Sequence, residues 1–179
     1  MLMNVAVFLS QYDVAGKYTG VVKMLGRLIA EHKHTLVFGG GDEGLMHIIA
    51  ETVHQNDARV VGVIRKQIQD KAYKEADEII VVEDAHKMNL GLIERADVII
   101  ILIGGIGPLN ELTAVVRMKK NAEKDLQTII VNTDHFYDGL KQQLERMSGE
   151  GFIKEEVMKT VHFVDTPEEA IEYINTYGN

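Results

Sequence analysis

The chain has 179 residues, 46% hydrophobic and 26% charged, proportions of a globular protein with a sizeable core, and it reads as a single domain over 1–179. A net charge of −8 excludes the basic face of a nucleic-acid binder, and no apolar run reaches the roughly 20 residues of a membrane span. With no cysteine there is no disulfide or thiolate chemistry, which points to a cytoplasmic protein.

In chain order, a β-branched run at 4–9 predicts a first strand, where a basic leader would otherwise be sought. The stretch 15–32 follows as a helix, with Val21, Val22, Leu25, Leu28 and Ile29 at helical spacing. A strand at 35–38 runs into Gly39-Gly40-Gly41-Asp42-Glu43-Gly44, and a helix is expected over 43–56. A third strand at 59–64 leads to a polar loop over 65–76 that has some helical character. Then come a strand at 78–82, a helix at 85–94 and a strand at 97–102, which enters Gly104-Gly105-Ile106-Gly107-Pro108 and a helix over 108–121. Strands at 128–131 and 161–164 and helices at 136–148 and 167–176 complete the chain, the last opened by Thr166 as N-cap and Pro167 in the first turn. Strands that are β-branched throughout and separated by helices predict a Rossmann-like, doubly wound α/β fold. Its parallel sheet would have six or seven strands, with helices on both faces.

In such sheets ligands sit beyond the carboxyl ends of the strands. Both glycine turns fall there, as do Ser10-Gln11-Tyr12-Asp13 and Glu83-Asp84-Ala85-His86. Glycine admits close backbone approach, and a helix N-terminus offers free N–H groups, so the two turns together suggest a phosphorylated small molecule held between them. Gly39, Gly41 and Gly44 also satisfy the dinucleotide spacing, but after the second strand, and the third strand ends in Arg65-Lys66 where a ribose-binding acid belongs. Glycines serving packing alone remain the plain alternative.

Glu111 has two readings. In the first turn of a helix starting near Gly107-Pro108 it is a capping carboxylate. One turn from a bound anion, it could instead stabilise the oxocarbenium-like state of N-glycosidic cleavage. The histidines, among them His32, His34, His47 and His54, lack ligand partners at zinc spacing, and no P-loop pattern is present, so no cofactor is expected.

The motifs resemble those of the Lonely Guy (LOG) family of phosphoribohydrolases, which release a free base from a nucleoside 5′-monophosphate. The resemblance covers nearly the whole chain. Val37-Phe38-Gly39-Gly40-Gly41-Asp42-Glu43-Gly44-Leu45-Met46 matches the family's G-G-G-x-x-G-L-M turn. The stretch from Gly104 to Glu111 is similar to its P-G-G-x-G-T-x-x-E signature, and Phe136-Tyr137-Asp138-Gly139-Leu140 to its closing helices. The chain departs from the family where Ile103 replaces a proline, Pro108 a threonine, Met88 the motif arginine and Asn89 the lysine after it. The resemblance implies Glu111 and His86 as catalytic residues. It implies Ser10, Gly40, Gly41, Gly44, Met88, Gly104, Gly105, Ile106, Gly107 and Pro108 as substrate-binding residues. The partner it implies is a nucleoside monophosphate or phosphosugar. It further implies a homodimer through 85–94 and 111–120, where Met88, Leu92, Ile93, Leu112, Val115, Val116 and Met118 lie. The alternative to a hydrolase is a protein of the same fold that binds the nucleotide without cleaving it.

Overall fold

The computed structural model describes residues 1–120 and 126–177. Seven parallel strands form one sheet: β1 (Asn4–Phe8), β2 (Thr35–Phe38), β3 (Val60–Arg65), β4 (Glu78–Val82), β5 (Val98–Ile101), β6 (Gln127–Val131) and β7 (Val161–Val164). Around it lie α1 (Thr19–Glu31), α2 (Gly44–Gln55), α3 (Ala85–Arg95), α4 (Ile106–Lys120), α5 (Asp138–Gly149), the short α6 (Glu155–Met158) and α7 (Pro167–Tyr177).

The strand order is β4-β3-β2-β1-β5-β6-β7. The chain builds outward from β1 to β4, and α3 then carries it back to β5 on the other side of β1. The order therefore reverses between β1 and β5, where open α/β sheets form their ligand crevice. Alternation along β1 assigns the two faces. Val5, Val7 and Leu9 pack with Leu25 of α1, Ile49 of α2 and Ile171 of α7, whereas Ala6 and Phe8 pack with Leu92 of α3 and Leu112 of α4.

Most element boundaries match the expectation, and the exceptions have local causes. The first helix starts at Thr19 rather than 15 because Ala15 and Gly16 sit at φ 54° and 70°, in a turn whose Gly16 N–H donates to Asp13 Oδ1. Asp134 and His135, at φ 54° and 58°, likewise delay α5 to Asp138. The α4 helix begins at Ile106, two residues earlier than expected, and its expected end at 121 lies outside the described residues. Thr166 caps α7 as expected, its hydroxyl accepting from Glu169 N–H. In return Glu169 accepts from the backbone N–H groups of Asp165 and Thr166.

Part of the apolar surface expected on α3 and α4 is core. Leu92, Ile93, Leu112 and Val115 are each no more than 2% exposed and belong to the core of this chain. On α4, Leu112 and Val116 also line an open apolar trough of about 440 Å³ toward α5, with Leu109, Met147 and Phe152.

Candidate active site

The first glycine turn follows β2, and most of its glycines serve the fold. Gly40 adopts φ +72° and a side chain there would press on Ile64. Gly44 adopts φ +54° and leaves no space for a Cβ against the Gln11 carbonyl. The polar segment after β3 closes over this turn as a strap. It forms a 3-10 helix, Lys66–Lys71, and then pairs with the turn through a bridge between Gly41 and Ala72. Asp42 N–H donates to the Lys71 carbonyl and Tyr73 N–H to the Gly40 carbonyl. His47 and Asp42 join at 2.7 Å, and Lys71 pairs with Glu43 at 3.0 Å. The Asp42 amide is thus committed within the chain, which removes it from phosphate binding.

The second turn is open. No heavy atom lies within 4 Å of where a Cβ would stand on Gly105 or Gly107; only Gly104 is tight, against the ring of Pro108. Since α4 starts at Ile106, the N–H groups around 105–107 lie ahead of its first intrahelical acceptor. They present the positive end of the helix dipole to the crevice between β1 and β5. Ser10 stands beside them, its N–H donating to the Ile103 carbonyl and its hydroxyl accepting from Tyr12 N–H.

Glu111 lies below this turn. It is the sixth residue of α4, outside the first turn, and only 7% exposed. Burial pushes its carboxyl from 4.5 up to about 7. A capping carboxylate contributes roughly 0.3–1 kcal/mol from an exposed first-turn position. Ionised Glu111 instead costs the fold on the order of 3 kcal/mol, given its rise to about 7. The sign of that effect argues against a capping role.

Tyr137 is a neighbour that the sequence did not single out as a site residue. Its hydroxyl donates to the Leu102 carbonyl at 2.7 Å and also meets the Gly104 backbone. Burial, aided by the Glu111 charge, raises its pKa. Asn132 holds the tyrosine in place, accepting from Tyr137 N–H at 2.6 Å and donating to Asp138 at 2.7 Å. The available signal was the Phe136-Tyr137-Asp138 stretch after a strand, legible as a motif but without a role.

The remaining expected residues separate into two places. Met88 lines a cavity of about 100 Å³ with Gln11, Gly39, Gly41, Met46, Arg65 and Ile68, beside the strapped turn. His86, two positions earlier on α3, faces a different groove, of about 420 Å³ between α3 and α4, with Asn89, Asn110 and Arg117. Two residues along a helix turn the side chain through about 200°, which accounts for the split. Lys87 is drawn away from both by its ion pair with Glu83 at 2.9 Å.

Comparison with known proteins places this geometry in context. A family model described as "Possible lysine decarboxylase" matches residues 46–174. A probable cytokinin riboside 5′-monophosphate phosphoribohydrolase of Oryza sativa subsp. japonica is 30% identical over 86% of this chain and 64% of its own length. A cytokinin riboside 5′-monophosphate phosphoribohydrolase of Arabidopsis thaliana is 27% identical over 86% of this chain and 73% of its own. The chain thus spans somewhat under two thirds of the length of the rice relative. Among solved structures, the molybdenum cofactor binding protein of Rippkaea orientalis superposes with a TM-score of 0.75 at 20% identity, covering 98% of this chain and 96% of that one. The match shows that the two share a fold. No helix among the described residues is long and apolar enough to cross a membrane.

Proposed function

The chain belongs to the LOG family of possible lysine decarboxylases, and on that footing we propose that it hydrolyses the N-glycosidic bond of a purine nucleoside 5′-monophosphate. The 5′-phosphate is held by the amides of Gly105, Ile106 and Gly107, with Gly104 and Pro108 shaping the turn and Ser10 at its side. The base lies toward the first turn, where Gly41 and Met88 border the cavity and Gly40 and Gly44 set the backbone. As the C1′–N bond breaks, its electron pair leaves with the base and positive charge develops on the ribose. The Glu111 carboxylate, ionised, stabilises that charge. A water oxygen bonds to C1′, one of its protons passes to the departing base, and the products are free base and ribose 5-phosphate. His86 faces the separate groove between α3 and α4 and takes no part in this step.

The observation that carries this reading is Glu111, buried at an energetic cost beside an open anion-binding turn. A buried carboxyl with its pKa raised to about 7 is the kind of group that structures retain for function. Incubating purified protein with AMP and following free adenine by chromatography tests it. Adenine release that is lost in Glu111→Gln is the expected result, and no release from any purine nucleoside monophosphate rejects hydrolysis.

Met88 favours a second reading, a binding protein that no longer turns over, because a thioether cannot supply the guanidinium of the family motif. Nucleotide binding without base release would be its signature. We further propose a homodimer, with the apolar trough between α4 and α5 as the contact, since Phe152 is 73% exposed there. Light scattering that gives a monomer mass at micromolar concentration rejects it.

A further inference from the structure

The cavity beside the first turn holds one charge that the hydrolase reading leaves unused. Its walls are largely apolar, with Met46, Ile64, Ile68 and Met88 around a volume of about 100 Å³. That is room for a planar ring rather than for a whole ligand. Two carboxylates reach it and both are engaged, Asp42 by His47 at 2.7 Å and Glu43 by Lys71 at 3.0 Å. Arg65, the last residue of β3, also lines it and is half-buried. Among the described residues no carboxylate pairs with Arg65, whereas the other cation that lines the cavity, Lys71, is matched with Glu43. A half-buried guanidinium against apolar side chains, with both local carboxylates already taken, keeps its fork of donors for solvent or for a ligand that replaces it.

We propose that Arg65 selects the base, and that the preferred substrates are 6-oxopurine nucleoside 5′-monophosphates such as IMP and GMP rather than AMP. The proposal rests on the hydrolase reading only for the placing of the phosphate at the second turn. β3 and β5 are three strand spacings apart, about 14 Å at the backbone. A nucleoside monophosphate bridges that span once the arginine side chain reaches inward. The purine ring then enters the cavity with its O6 and N7 edge toward Arg65. That edge carries two acceptors in a 6-oxopurine, matched by the guanidinium's fork of donors. In adenine the O6 acceptor is replaced by an amino donor, which would face another donor. The same contact serves the chemistry. When the purine departs with the electron pair of the C1′–N9 bond, the negative charge spreads to N7 and O6, where Arg65 donates.

The test measures base release and equilibrium binding for IMP, AMP and ribose 5-phosphate. Wild-type protein should favour IMP over AMP by roughly 10- to 100-fold in kcat/KM and in Kd. Arg65→Met should bring the two nucleotides to near parity, leaving ribose 5-phosphate affinity and melting temperature unchanged. Arg65→Gln, whose amide can both donate and accept, should favour AMP. Equal use of the two nucleotides by wild-type protein, or a preference for AMP, overturns the proposal while leaving hydrolysis intact. Loss of ribose 5-phosphate binding in Arg65→Met also overturns it, by moving Arg65 to the phosphosugar. If no nucleotide is cleaved, hydrolysis is rejected and the ratio of the two Kd values still decides the role of Arg65. Failure of both nucleotides to bind overturns it as well.

Discussion

The two glycine turns look alike in the chain, each leaving an apolar strand and entering a helix, yet they are opposites in the fold. In the first, Gly40 and Gly44 are demanded by positive φ and close packing, and the strap has taken the Asp42 amide. In the second, Gly105 and Gly107 face open space, and the first N–H groups of α4 have no intrahelical acceptor. A glycine-rich turn at a strand's carboxyl end is therefore not by itself an anion site. What matters is whether another segment has already satisfied its N–H groups.

The sharpest way to break that contrast is to add a methyl group to each turn. Gly44→Ala forces a side chain against the Gln11 carbonyl at a φ that L-residues avoid. A loss of about 4 kcal/mol, or of soluble folded protein, is expected in denaturant titration. Gly105→Ala should fold with stability within about 0.5 kcal/mol of wild type and lose phosphate affinity, read by calorimetry. Similar stability losses in both variants would erase the distinction between the turns.

Glu111→Gln tests what lies beneath the open turn. Turnover should fall about 100- to 1,000-fold, with nucleotide Kd nearly unchanged. The same variant has a stability signature with a definite sign. The folded carboxyl titrates near 7 against 4.5 when unperturbed, so between those values the folded state keeps a proton that the unfolded chain has released. Wild-type stability should be fullest below about pH 4.5 from this group and decline as pH rises through about 7, by on the order of 3 kcal/mol. Glu111→Gln should lack that decline and melt roughly 5–10 °C above wild type at pH 8. A variant that melts lower at pH 8 would return Glu111 to a structural role.

Met88→Arg acts on the strapped side. A guanidinium added beside the departing base should stabilise the charge it carries away and raise base release from AMP by about tenfold or more. Brisk turnover in wild-type protein with no gain in the variant would show that the chain needs no cation at that position. Unfolding of the variant would place Met88 in the core. The smallest effect is expected at the strap's own ion pair. Lys71 and Glu43 are both more than half exposed, so Lys71→Ala should cost less than about 1 kcal/mol in melting experiments and leave AMP affinity unchanged. A large loss of affinity would mean that the lysine, and not the second turn, holds the phosphate.

Much of this protein was legible in the chain. The β-branched runs gave all seven strands, three of them to the residue, because parallel strands buried on both faces need continuous apolar segments. Thr166 and Pro167 marked α7 through capping chemistry that acts within four residues. Gly104 and Glu111 stood out by type and spacing alone. The doubly wound fold and the placing of both turns at the carboxyl edge follow from this local information.

Other features depended on parts of the chain far apart in sequence. The strap reaches Gly41 from Ala72, and the Tyr137 hydroxyl reaches the Leu102 carbonyl across 35 positions. The pairing of Asp42 with His47 and of Glu43 with Lys71, at the cavity that Arg65 also lines, involves three separate elements. Apolar periodicity and capping are settled by neighbours within a turn or two, so the sequence carried them. Desolvation of Glu111, and the use or freedom of a backbone amide, depend on which distant segment comes to lie against it, and that only the tertiary structure decided.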